Sequence, residues 1–216
     1  MKSWLDNTLA RFDLENDPLA LQTGMLLERI VPDAPRHARF INTLSMLEHI
    51  GSHKIMATQH SIAIDQPTLR HVAEEAHHAY FMKRQAEKTG KRPMEYRDPD
   101  LLAPAAARMY FQRLEAAMVR ILSHRRTARA AYLYMSMIVE FRALWLYRLY
   151  ERMLKQYRHP MSLKRVLGEE QNHLIEMAQR LESNAELDEQ HTAELLAFEH
   201  RLYQRLLGAM QNAVAA

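Results

Sequence analysis

The chain has 216 residues, 48% hydrophobic and 25% charged, with a formal net charge of +3, a length and balance that suit one sizeable soluble core. It contains no cysteine, which excludes disulfides, thiolate zinc sites, iron–sulfur clusters and thiol nucleophiles together. No apolar run approaches the ~20 residues that span a bilayer, and Asp6, Arg11 and Asp13 interrupt the N-terminal apolar residues where a signal peptide would be continuous, so a cytoplasmic protein is expected.

Only five residues are glycine, and Ala, Leu, Met, Glu, Arg and Gln, all good helix formers, dominate the rest. An all-α fold is therefore expected, punctuated by Pro and Gly. An amphipathic stretch runs from about Ser3 to Leu14, with Trp4, Leu5, Leu9 and Phe12 on one side. Asp17-Pro18 opens a short helix, since proline costs nothing in a first turn, and Val31-Pro32-Asp33-Ala34-Pro35 closes it. Further helices are predicted over Arg36–His60, from a start at Asp65-Gln66-Pro67 to Gly90, over Leu101–Leu122, over Thr127–Tyr157, from an N-cap at Ser162 to Ser183, and over Leu187–Met210. The basic groups His124-Arg125-Arg126 and Lys88, Lys91, Arg92 are too short for a nucleic-acid surface and read as solvated helix ends.

Steps of three and four residues along the long helices uncover a pattern. The Arg36–His60 helix presents Ile41, Leu44, Ser45, Glu48, Gly51, Ser52 and Ile55 on one face. The next presents Thr68, His71, Val72, Glu75, His78, Ala79 and Met82; the Thr127–Tyr157 helix, Leu133, Ser136, Met137, Glu140, Ala143, Leu144 and Tyr147. The helix after Ser162 presents Leu163, Val166, Leu167, Glu170, His173, Leu174 and Met177. Each face thus holds one Glu amid apolar residues, and two add a His three residues on. A carboxylate in such a stripe costs several kcal/mol unless a metal or a charged partner compensates it. No Lys or Arg lies on the four faces, so four such Glu carry a charge of about −4 that two metal ions would neutralise. Glu-x-x-His sets both side chains one turn apart on one face, where they can hold one ion, and mixed carboxylate and imidazole ligands suit iron or manganese.

Single Glu, Glu-x-x-His, single Glu, Glu-x-x-His resembles the ligand order of the ferritin-like di-iron carboxylate superfamily. Here it stands as Glu48, Glu75 with His78, Glu140, and Glu170 with His173. The resemblance covers roughly 36–183, and the 62 residues from His78 to Glu140 leave room for that fold's long crossover. It implies a single domain over 1–216: a ferritin-like four-helix bundle at about 36–183, flanking helices over 1–35 and 187–210, and an additional helix in the crossover. It also implies two Fe ions (or a Mn/Fe pair) held by Glu48, Glu75, His78, Glu140, Glu170 and His173, with dioxygen, a small-molecule substrate and an electron donor as partners. The implied activity is that of a di-iron oxygenase or oxidase, in a monomer or small homo-oligomer; the alternative is an iron-handling or peroxide-detoxifying protein like bacterioferritin or rubrerythrin. Rubrerythrin typically has a further Glu where this chain has Ala143, and arylamine N-oxygenases a further His where it has Val166.

Glu74 with His77 has the same spacing as Glu75 with His78, but its face includes Arg70, so Glu74 and His77 are expected to matter little to the site. His71 is read as a histidine at the core edge rather than an additional ligand, Tyr147 as core, and Gly51 as a point of close helix packing.

Overall fold

A computed structural model describes residues 3–58, 64–122 and 127–215. These form seven helices and no strand: α1 (Trp4–Ile30), α2 (Ala34–Thr58), α3 (Gln66–Gly90), α4 (Pro104–Ile121), α5 (Ala128–Gln156), α6 (Lys164–Ser183) and α7 (Glu189–Ala215). None is long and apolar enough to cross a membrane. Gln59 and His60, at the predicted end of α2, and His124-Arg125-Arg126 lie outside the described residues.

Helix α2 packs along α3 and α5 along α6, and the two pairs meet through α2–α5 and α3–α6 contacts. The apolar faces of these four helices turn inward together, which puts Ile41, Leu44, Met82, Leu133, Met137, Leu144, Leu174 and Met177 in one core. Helix α1 covers α5 and α7, and α4 lies against α7. Where these outer helices meet α5, Arg142 donates to both carboxylate oxygens of Glu199, at 2.9 and 2.8 Å, and to Asn16 at 2.8 Å. Tyr110 donates to the same carboxylate at 2.7 Å.

Most starts follow the sequence signals. Asp65 caps α3, accepting from the Thr68 N–H at 2.8 Å, and Thr127 caps α5, accepting from Ala130 at 2.9 Å. Two expectations fail. The predicted break at Asp17-Pro18 is absent: α1 runs through Pro18. Proline removes the hydrogen bond to the Leu14 carbonyl, but Leu14 and Pro18 are both exposed, so water can satisfy that carbonyl. Phe12, Leu19 and Leu26 stay buried on the other face and hold the helix in register. Nor does Ser162 cap α6. The cap position is Leu163, because the buried Glu151 takes the Leu163 N–H at 2.7 Å and also accepts from the Ser162 hydroxyl at 3.2 Å.

The crossover before α4 is fixed by polar side chains of α2. Asn42 donates to the Glu95 and Asp100 carbonyls at 2.8 and 3.0 Å, and Thr43 Oγ1 accepts from the Leu102 N–H at 2.7 Å. Satisfying this buried irregular backbone holds α4 against α2 and α5 of the bundle and against α7.

Candidate metal centre

The four-helix arrangement brings Glu48, Glu75, His78, Glu140, Glu170 and His173 into one buried cluster. Their donor atoms form two groups of four, each group's atoms within 4.8 Å of one another: Glu48, Glu75, His78 and Glu170 on one side, His71, Glu75, Glu140 and His173 on the other. Glu75 belongs to both. Its Oε1 lies 3.4 Å from His71 Nε2 and from His173 Nδ1, and 3.8 Å from His78 Nδ1.

His71 is no core-edge histidine. It is 2% exposed, and its Nε2 stands 3.3 Å from Glu140 Oε1. One turn before Glu75 on α3, it reaches across the bundle to the carboxylate of α5, a contact that helical periodicity alone cannot reveal.

Each imidazole is held by the nitrogen that faces away from the cluster. His78 Nε2 is 2.8 Å from Glu169, and His173 Nε2 is 2.7 Å from Glu74. An ionised carboxylate only accepts, so these contacts put a proton on Nε2 and turn Nδ1 toward the carboxylates. His71 shares a 2.9 Å hydrogen bond through Nδ1 with the Tyr132 hydroxyl, leaving Nε2 inward. The Glu preceding each Glu-x-x-His therefore braces the histidine of the other one, across the α3–α6 interface. Glu74, expected to matter little, thus touches a histidine of the cluster, whereas His77 is exposed. Arg165 supports Glu169 at 2.8 Å. Such carboxylate–imidazole pairs orient metal-binding histidines and raise their basicity.

In the protein alone the charges partly balance. Burial opposes a charge on His71, but the adjacent Glu140 and Glu75 carboxylates outweigh it and lift its pKa to about 11. Burial likewise opposes a charge on His78, and Glu170, Glu48 and Glu75 outweigh it, lifting the pKa to about 10. Burial, followed by the charges of Glu140 and Glu75, raises Glu170 to about 7; burial, followed by Glu75 and Glu170, lifts Glu48 well above the usual carboxylate range. The charge of −4 expected from the sequence is thus reduced by imidazolium and by protonated carboxyls. The Tyr147 hydroxyl donates to Glu48 Oε1, so this core residue also touches the cluster.

The donor set fits a pair of metal ions on two observations. Glu75 Oε1 and His78 Nδ1 are fully buried yet have no hydrogen-bond partner, and both belong to the converging donor groups. Buried polar atoms without a partner cost about 1–3 kcal/mol each, and coordination to a metal removes that cost. The chemistry agrees: one group offers three carboxylates and an imidazole, the other two of each, a hard oxygen and nitrogen set. A cavity with an apolar wall reaches His71, Glu75 and Glu140 from outside the bundle, and Gly51 lines it; a Cβ on Gly51 would sit 3.5 Å from Glu75 Oε2.

No protein-family model, no curated protein and no solved structure matches the chain, so its own residues carry the functional reading.

Proposed function

We propose that this chain is a ferritin-like non-haem di-iron protein of the cytoplasm, acting as an oxygenase or oxidase on a small organic substrate. The observation that carries the proposal is the pair of buried four-donor groups sharing Glu75. Glu48, His78 and Glu170 would hold one ion, His71, Glu140 and His173 the other, and Glu75 both, with iron or a manganese–iron pair suiting the ligands. Bound there, the ions would supply the redox equivalents and open coordination positions that dioxygen activation needs.

The protein's own groups have three tasks. Glu169, Glu74 and Tyr132 fix which nitrogen of His78, His173 and His71 faces the donors, so little reorganisation is needed when metal binds. Tyr147 holds the Glu48 carboxylate by donating its hydroxyl proton, and that proton lies one hydrogen bond from the cluster. The apolar cavity wall excludes water beside His71, Glu75 and Glu140 while admitting an organic molecule. A cavity beside one donor group favours a substrate-using enzyme, with an external electron donor, over an iron store. Helices α1, α4 and α7 cover the outside of the bundle, which fits a monomer or small homo-oligomer better than a closed shell.

Elemental analysis of protein produced with excess iron tests the reading directly: about two metal ions per chain are expected, one for each donor group. Glu75→Ala should lose both and His71→Ala at most one. The reduced protein should consume about one dioxygen per metal pair and stop until reductant is supplied. No bound metal in the presence of excess iron refutes the proposal, and a large particle that keeps oxidising added ferrous ion moves the reading to iron storage.

A further inference from the structure

The cavity has a volume of about 90 Å³ and is walled by α2, α4 and α5. Among the described residues its inner end is formed by His71, Glu75 and Glu140; Glu48, His78 and Glu170 do not line it. Further out the wall is apolar, made by Ile55, Phe111, Met118, Met135 and Val139. Toward solvent stands Lys54, the one Lys or Arg among the described lining residues, with its Nζ 2.5 Å from Glu115. The lysine side chain is 27% exposed and that of Glu115 56% exposed. Gly51 marks the level of Glu75, and Thr58, seven residues along α2, also lines the cavity, so its length along that helix is about 10 Å.

We infer, on the reading of the cluster as a metal centre, that this cavity is the substrate chamber and takes a monocarboxylate with an apolar chain. The chain lies inward against the donors and the carboxylate outward on Lys54. Apolar walls over most of the length favour a hydrocarbon body. Of the two charged groups at the outer end, Lys54 is the less solvated, so water weakens a charge-assisted contact to its ammonium less than one to Glu115. Its pair with a half-exposed Glu115 is a weak surface ion pair and yields readily to a carboxylate held in place by its own buried chain. At the inner end the carboxylates of Glu75 and Glu140 outnumber the single imidazole of His71, which they already flank at 3.4 and 3.3 Å, so a second anion is opposed there in the metal-free protein, which sets the direction of insertion.

Calorimetric titration of the full chain with octanoate, 1-octanol and octylamine tests this, with and without iron and with iron counted in each sample. In the metal-free protein octanoate should bind roughly fivefold tighter than octanol or better, as expected for one charge-assisted contact at a part-exposed lysine. Lys54→Met should abolish that advantage while octanol binds as before. Ala131→Trp, or Val119→Trp if the first does not fold, fills the outer cavity away from the donors and should weaken octanoate and octanol at least tenfold with iron content unchanged. Octanol or octylamine matching octanoate, or no binding by any of the three, overturns the inference. So does octanoate binding that requires iron and ignores Lys54→Met, because the carboxylate then sits on the metal. Iron bound normally without ligand binding sinks this inference alone. Ligand binding with Lys54 dependence but no iron sinks the metal reading and leaves the carboxylate chamber standing.

Discussion

Removing Glu169 tests whether the crossed carboxylates act on the proposed metal centre through the histidines. Glu169 touches no other donor: it holds His78 Nε2 at 2.8 Å, and Arg165 holds it in turn. Glu74 does the same for His173 at 2.7 Å. Loss of such a partner typically lowers metal affinity 10–100-fold, or about 1.4–2.7 kcal/mol. The Glu169 side chain is 18% exposed and that of Glu74 29% exposed, so water replaces the lost partner more readily at Glu74. Glu169→Ala should therefore fall near the upper end of that range and Glu74→Ala near the lower. Glu169→Gln keeps an acceptor but loses the charge, and should cost about tenfold. Because both braced imidazoles adjoin Glu75, the double variant should depart from the product of the single effects. The assay is anaerobic competition for ferrous or manganous ion against a chromophoric chelator, with His77→Ala as the exposed control. Wild-type affinity in both alanine variants, or an equal loss in His77→Ala, would refute the bracing argument.

Three further outcomes follow from the fold. Arg142→Met should cost about 3–5 kcal/mol in denaturant unfolding, because it leaves the fully buried Glu199 carboxylate uncompensated; adding Glu199→Leu should recover much of that loss, and a mild single variant would contradict the pairing. Pro18→Ala should stabilise the chain by about 1–3 kcal/mol by restoring the α1 hydrogen bond, and an unchanged unfolding midpoint would show that the proline costs the helix nothing. Burial, helped by His159, pushes His37 down to about 3, and its Nδ1 has no hydrogen-bond partner. The unfolded chain therefore takes up a proton below about pH 6.5 that the folded protein refuses. Wild type should lose stability relative to His37→Gln as pH falls from about 6.5 toward 3, by up to ~1.4 kcal/mol per pH unit, and parallel pH profiles would rule this out.

Much of this architecture was legible in the chain because helices advertise themselves locally. Asp65 and Thr127 fall where capping chemistry puts them, and the three-four spacing of apolar residues identified the inward faces of α2, α3, α5 and α6. The same spacing placed six of the cluster's donors, since a Glu in the middle of an apolar face can only be buried when that face is. It also chose Glu75 and His78 over Glu74 and His77, and both of the chosen residues are buried. What misled was local as well: Pro18 reads as a helix start, but packing on the opposite face carries α1 through it.

The sequence by itself therefore determined the helical class and six of the carboxylates and imidazoles that share the interior. Only the tertiary structure decided what each of them touches. His71 joins the donors through Glu140 on another helix, Glu74 and Glu169 brace each other's histidines across α3 and α6, and Arg142, on a face of α5 away from the donors, is neutralised by Glu199 of α7. The division has one physical cause. Burial of a face is set by periodicity within a helix, whereas a hydrogen bond or shared ligand depends on the axial offset and rotation between two helices, which are fixed only when all the faces pack together.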